Sequence, residues 1–272
     1  MKNLLFILYT LYSLGVYANH NIKIYTEKIN NGYKIYADNS EYCPMTVRID
    51  FNLLNLKKVP STNQVYVLKA NRKRQLLTTL KVVNLRKRYQ FNFKYFTNYG
   101  NHTQKTYDRD YPYSLPFTKG KKFKLAQGYN GNISHYGESK NSLDFTMPIG
   151  TEITAIRNGI VVKVIEKYNK NCLTKACAKF GNIILIYHSD GTFAEYVHLK
   201  QDGAIVKVGD QVSKGQIIGL SGNTGWSTGP HLHLRVYNQF MNSQKSLKTK
   251  FRVGNGNKSQ FLVERKMYFK NY

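Results

Sequence analysis

Gly222–Tyr237 reads G-N-T-G-W-S-T-G-P-H-L-H-L-R-V-Y. His231, Leu232, His233 and Leu234 alternate polar and apolar, the period of a half-buried strand. Both imidazoles therefore leave one face, and Leu232 and Leu234 leave the other, towards a core. Gly222, Gly225, Gly229 and Pro230 make the preceding run a loop that feeds the strand. Two imidazoles side by side at a strand entrance suit a metal site or acid–base chemistry. A pair of surface histidines on an open strand is the alternative, and the other histidines decide between them.

Around this stretch lies a chain of 272 residues, 42% hydrophobic and 14% aromatic, enough for one large or two modest folded domains. The formal charge of +26 is spread along nearly the whole chain and favours anionic partners. Met1-Lys2-Asn3 is short and basic, Leu4–Tyr17 is mostly apolar, and Val16-Tyr17-Ala18 is a small-x-small cleavage pattern. That is the pattern of a secretory signal peptide. The apolar run falls short of the ~20 residues that a membrane span needs. Export, to the periplasm or the extracellular space, disfavours nucleic acid as a partner and favours anionic envelope polymers. It leaves no stable membrane span after processing. In an oxidising compartment Cys172 and Cys177 can close a small disulfide loop, with two free thiols as the alternative. Cys43 is left over and is expected in a core.

Taken in order, the chain reads as all-β. Asn31-Gly32 is a hairpin signal between Ile22/Ile24 and Tyr33/Ile35. Met45–Leu54, Gln64–Ala70, Leu76–Val83 and Tyr89–Phe96 follow as short strands, which reads as a small antiparallel sandwich. Tyr107–Pro116 is punctuated by proline and lacks periodicity. Strand-like runs resume at Glu152–Ile156, Gly159–Ile165, Ile183–His188, Thr192–Leu199, Ala204–Val208, Gln216–Leu220 and His231–Tyr237. Further candidates are Lys250–Val253 and Gln260–Val263. The expected organisation is a signal peptide over 1–18, an N-terminal β-sandwich-like domain over 19–106 and a linker over 107–122. A second all-β domain over 123–245 and a basic C-terminal extension over 246–272 follow.

The second domain holds three sites of interest: His135 with Asp144, His198 in Y-V-H-L, and His231 with His233. A catalytic zinc takes three nitrogen or oxygen protein ligands and keeps one position open. Two imidazoles and one carboxylate give that count, and two histidines remain for proton transfer. His188 precedes the turn Ser189-Asp190-Gly191 and reads as a structural histidine.

Gln127–Tyr237 resembles the lysostaphin-like zinc metallopeptidase family, which cleaves peptide bonds in bacterial peptidoglycan. The matching pieces are S-H followed by L-D-F, P-I-G-T-E-I-T-A-I-R-N-G-I-V and F-G-N-I-I-L-I-Y-H-S-D-G-T-F-A-E-Y-V-H-L. They continue with V-K-V-G-D-Q-V-S-K-G-Q-I-I-G-L-S-G-N-T-G-W-S-T-G-P-H-L-H-L. Similar short turns recur in biotinyl-type sandwiches, from which His198 and the H-L-H strand separate this chain. The resemblance implies His135, Asp144 and His233 as ligands of one Zn2+ per chain. It implies His198 and His231 as the catalytic pair that activates water and steadies the oxyanion. It also implies a two-sheet antiparallel β metallopeptidase domain with a groove over the metal. One departure stands out: the usual spacing is His, three residues, Asp, whereas eight residues separate His135 from Asp144. Glu138 is the fallback ligand within that insertion. The Cys172–Cys177 segment reads as a family-foreign insertion near the groove rim.

The expected function is an exported zinc endopeptidase acting on peptidoglycan peptides. An inactive relative that binds the envelope or activates another hydrolase is the alternative, and such relatives typically lose metal ligands. A polycation that only coats anionic surfaces would account for the charge and not for the histidines.

Overall fold

The computed structural model describes residues 20–61, 64–104 and 106–272, so the signal-peptide segment 1–18 lies outside the described residues. Two compact units emerge: residues up to Glu41 with Met45–Asn98, and Tyr42–Pro44 with Tyr99–Tyr272. Both are built from strands, with two short 3-10 turns in the second unit.

The first unit has two sheets. One runs in the order Ile22–Ile29, Gly32–Asn39, Arg72–Val82, Leu56–Val59, and the other Val65–Leu68, Met45–Leu54, Gln90–Tyr99. Ile35, Ala37 and Leu80 from the first and Met45, Val47, Ile49 and Leu68 from the second are buried, as the alternating pattern requires. The hairpin turn falls at Asn30–Asn31, one residue earlier than the Asn31-Gly32 signal suggested, because Gly32 is already paired with Ile29. Gly32 is needed in the strand itself. Its φ is +144°, and a Cβ there would sit 1.8 Å from the Leu80 carbonyl oxygen.

A nine-stranded sheet dominates the second unit. Its order is Gln211–Val212, Gly159–Ile165, Ile183–Tyr187, Phe193–Val197, His231–Gln239, Leu143–Thr146, Lys122–Gln127, Met267–Phe269, with Gln244–Ser246 added beside His231–Gln239. A three-stranded sheet of Glu152–Thr154, Ile217–Ser221 and Leu199–Ala204 accompanies it. Leu232 and Leu234 pack on the core side with Phe145, Tyr196, Ile184 and Ile218, all buried. The His231 strand is central in this sheet, which fixes what can lie beside its outward-facing histidines.

Two sequence expectations shift here. The stretch 107–122, expected as a linker, contributes Tyr113, Leu115 and Phe117 to the core of this unit. These three alternate at a spacing of two, but Pro112 and Pro116 stand beside them and give the run the look of a linker. The segment 246–272, expected as an extension, is woven into the unit. Met267–Phe269 pairs with Lys122–Gln127, and Lys250–Val253 pairs with Pro112–Tyr113. Leu247, Phe251, Leu262 and Tyr268 are buried among its lysines.

His188 is fully buried at the end of Ile183–Tyr187. Its Nδ1 donates to the Asn158 carbonyl at 2.8 Å, and burial pushes its pKa down to about 4. The folded chain thus refuses a proton that the unfolded chain accepts below about 6.5. Stability should fall as pH drops from about 6.5 towards 4, at up to ~1.4 kcal/mol per pH unit from this residue. Urea unfolding of the wild type and His188→Gln over that range checks it; the variant should lose that part of the slope. Phe145→Ala should remove about 3–5 kcal/mol, as full burial of an aromatic ring implies, measured in the same titrations.

Candidate metal centre and its flanking histidines

The central strand organises the site through its two neighbours. On one side Asp144 lies directly opposite His233, with Thr146 opposite His231. On the other side Val197 lies opposite His233, so that His198 follows at the edge of the same cluster. His198 falls between Phe193–Val197 and Leu199–Ala204, where a single strand Thr192–Leu199 was expected. Its φ of +67° is rare for a residue with a side chain and breaks the strand at that point.

His135, Asp144 and His233 form one cluster, with ligand atoms all within 4.8 Å of one another. His135 Nε2 is 3.2 Å from Asp144 Oδ2, and His233 Nδ1 is 2.8 Å from Asp144 Oδ1. The long spacing between His135 and Asp144 is absorbed locally. Gly137–Ser139 forms a single 3-10 turn, Asn130 N–H donates to the Lys140 carbonyl at 2.7 Å, and Asn141 donates to Ser246. Both ends of the insertion are thereby held. Glu138, the fallback ligand, instead accepts from the Gln244 N–H at 2.7 Å and is outside the cluster.

His135 Nδ1 donates to the Gly128 carbonyl at 2.7 Å, which turns its Nε2 towards the carboxylate. That Nε2 is buried and has no hydrogen-bond partner. A neutral imidazole would thus aim a lone pair at a carboxylate oxygen 3.2 Å away, an arrangement that calls for a cation or a proton between them. Two imidazoles and one carboxylate suit a divalent transition metal, zinc among them. Without metal, protons take that role. Burial favours neutral Asp144, yet the charge of His233 and hydrogen bonds from His135 and His233 outweigh it. The carboxyl stays well below its usual range. Burial likewise favours neutral His135, and Asp144 overcomes it and raises the pKa.

Two more imidazoles flank the cluster. The rings of His198 and His231 are 4.5 Å apart, and those of His198 and His233 are 5.9 Å apart. His198 Nδ1 donates to the Thr224 carbonyl at 2.6 Å, and His231 Nδ1 to the Gly229 carbonyl at 2.8 Å. Each therefore offers an Nε2 lone pair rather than a proton. Burial, and then the nearby His231 and His233, depress His198 to about 3. His231 Nε2 is 4.0 Å from Asp144 Oδ1, close to the cluster and outside hydrogen-bonding range.

A groove of about 560 Å³ opens over the four histidine and aspartate side chains Asp144, His198, His231 and His233. Sequence reasoning missed Gln127. Its Nε2 donates to Asp144 Oδ2 at 2.9 Å and to Ser134 Oγ at 2.8 Å. Its Oε1 accepts from the Ile133 N–H at 3.0 Å. It therefore fixes how the carboxylate faces the cluster. Lys122–Gln127 had not been read as a strand, and alternation alone would set Gln127 on the face of Leu125; a register shift at Asp144/Phe145 is what brings it opposite Asp144. Cys172 and Cys177 are disulfide-bonded, and Cys43 is free and buried.

Residues 138–246 match the family description Peptidase family M23. Asp144, His198, His231 and His233 fall inside that range, and His135 just before it. The chain is 45% identical over 118 residues to lysostaphin of Staphylococcus staphylolyticus, covering 43% of this chain and 21% of that protein. It is 38% identical over 129 residues to the peptidoglycan DD-endopeptidase ShyA of Vibrio cholerae serotype O1, covering 46% and 27%. The solved catalytic domain of lysostaphin from Staphylococcus simulans is 35% identical, with 46% of this chain and 87% of that chain covered and a TM-score of 0.33. The chain spans about a third or less of the length of these curated relatives. Within its second, all-β unit, residues 138–246 thus carry the peptidase family M23 match, in a stretch similar in sequence to lysostaphin.

Proposed function

We propose that this protein is an exported, zinc-dependent endopeptidase that hydrolyses peptide bonds in bacterial peptidoglycan. One observation carries the reading. His135, Asp144 and His233 converge from separate parts of the chain, and two further imidazoles face the same groove with their Nδ1 atoms tied to backbone carbonyls. The names of the relatives, lysostaphin and a peptidoglycan DD-endopeptidase, supply the substrate class. The Cys172–Cys177 bond suits an oxidising compartment and supports export. Among the described residues no helix is long and apolar enough to cross a membrane.

In this reading His135, Asp144 and His233 hold the zinc. Bound there, zinc would polarise the scissile carbonyl and make water acidic enough to attack near neutral pH. His198 and His231 present Nε2 lone pairs, so one takes the proton of the attacking water and delivers it to the leaving amine. The imidazolium so formed lies beside the developing oxyanion and stabilises it. Gln127 would hold the Asp144 carboxylate in its orientation while it served as a ligand. An inactive, envelope-binding relative would be expected to have lost one of these donors, and none is missing here.

The +26 charge lies outside the groove. Among the residues that line it there is no lysine or arginine, although the chain carries 41. The groove then reads the peptide, and the outer surface gathers anionic envelope polymer.

Metal analysis of the purified protein should find about one zinc per chain, the count that one three-ligand site allows. His233→Ala should lose both the metal and muropeptide cleavage, while Glu138→Ala keeps both. Absence of zinc after reconstitution would instead favour the envelope-binding reading. Gln127→Leu should weaken zinc affinity about 10–100-fold, as loss of a partner that orients a ligand does, read by competition with a chromogenic chelator. Sedimentation with purified sacculi should weaken steeply as salt is raised, because exposed charges are screened within ~10 Å at 0.1 M.

A further inference from the structure

The loop closed by Cys172–Cys177 lies against the histidine groove, and the chemistry described above does not use it. Its 3-10 run Lys175–Phe180 has no side-chain cap and buries only Cys177. The disulfide closes the loop covalently, and Phe180 at the end of its 3-10 run packs edge-on against Tyr168 at 5.5 Å. On its other side it is bonded, strand to strand, to the segment that supports the histidines. Asn171 and Cys172 pair in parallel with Gly225 and Trp226. Gly225 N–H donates to the Lys170 carbonyl at 2.8 Å, and Ser227 N–H to the Cys172 carbonyl at 3.3 Å. Trp226 Nε1 donates to the Leu173 carbonyl at 3.1 Å.

That segment is bracketed by histidine partners. Thr224 contributes the carbonyl that holds His198. Ser227 Oγ lies 3.2 Å from His231 Nδ1 and accepts from the Gly229 N–H at 3.3 Å, so the imidazole N–H is shared between Ser227 and the Gly229 carbonyl. The two ends differ in how they are anchored. Thr224 has its own ties, accepting from the Asn182 N–H at 3.0 Å and donating to the Leu199 carbonyl at 2.8 Å. Gly225–Ser227 is paired with the disulfide loop, and the Ser227 hydroxyl also lies 2.7 Å from Asn223 Oδ1 and 2.8 Å from the Gly229 carbonyl.

We propose that the Cys172–Cys177 loop is a positioning clamp for His231: it holds Gly225–Ser227 by backbone pairing and, through Ser227, fixes the orientation of the imidazole at the groove. This rests on the reading of His198 and His231 as the proton-transfer pair. The clamp governs turnover and leaves metal binding alone, because His135 and Asp144 draw their supports from Gly128 and Gln127, which lie outside the loop and the segment it holds. Opening the disulfide frees Gly225–Ser227 and lets the His231 ring swing, while Thr224 still restrains His198.

Two kinds of variant test it without sharing chemistry. Cys172→Ser/Cys177→Ser removes the covalent closure. Gly225→Ala leaves both cysteines intact and strains Gly225–Ser227 against the end of the loop, since at φ +86° a Cβ would sit 2.8 Å from Gly181 Cα, just after the 3-10 run. Ser227→Ala removes the last link. Each should lower kcat about tenfold, in keeping with the cost of misplacing a catalytic group, with KM little changed and zinc still bound at wild-type stoichiometry. In 15N-labelled protein the slowly exchanging Nδ1–H signal of His231 should broaden or vanish, and that of His198 should persist. Wild-type kcat together with an intact His231 signal in these variants overturns the clamp. So does loss of zinc in step with kcat, which would mark a general structural role. Should the wild type bind no zinc and cleave nothing, the hydrolase reading falls and the imidazole signals alone decide the clamp. If the double cysteine variant does not fold, Gly225→Ala and Ser227→Ala decide it.

Discussion

Asp144 and His233 face each other across one antiparallel ladder, and every other group at the site takes its place from that pairing. Register in a sheet with a buried face is strongly specified, because a slip of one residue exchanges the two faces. Here a slip would bring Asp144 and His233 into the core and turn Leu232, Leu234 and Phe145 towards the groove. The apolar residues that fill the core are thus also what hold the carboxylate opposite the imidazole. The opposite flank follows from the same ladder: Val197 is opposite His233, and His198 leaves its strand one residue later.

Burying a carboxylate is expensive unless its charge is met. Asp144 is 8% exposed, and its two oxygens meet His135, His233 and Gln127. The Gln127 amide is neutral, so it satisfies geometry without discharging the site. The positive charge has to come from imidazolium protons or from a metal held by the same atoms. This competition explains why the histidine tautomers matter. His135 has its Nδ1 proton committed to Gly128, so its remaining nitrogen can hold a proton or a metal and cannot hold both.

Much of this was legible in the sequence. Alternation in His231–Leu234 gave the strand and its two faces, and the runs at Gly159–Ile165 and Lys250–Val253 coincide with observed strands. Charge hid the rest. Lys122–Gln127 alternates lysine or small residues with single apolar ones, and Met267–Phe269 is three residues long between Lys266 and Lys270; in so basic a chain such segments resemble solvated tails. Tyr113, Leu115 and Phe117 alternate, but the prolines among them made the run read as a linker. Burial at those places is decided by long-range pairing, to which local pattern is blind. The backbone carbonyls that hold the histidines are invisible for a different reason. Every residue supplies a carbonyl, and only the fold decides that those of Gly128, Thr224 and Gly229 point at imidazoles.

Those carbonyls also separate the roles of the histidines more sharply than proximity could. His198 and His231 each spend Nδ1–H on the backbone, and at 4.5 Å between ring centroids a proton on one disfavours a proton on the other. His198, buried and flanked by His231 and His233, is hard to protonate and is tied at a positive-φ backbone position. His231 is more exposed at the groove mouth and is held by a loop rather than by the sheet. If His231 moves the proton, as proposed, its loop carries more of the demand than the core does. The Cys172–Cys177 bond lies behind that loop, whereas His135 and Asp144 are held by Gly128 and Gln127 on the other flank, so the covalent closure falls on the His231 side of the site.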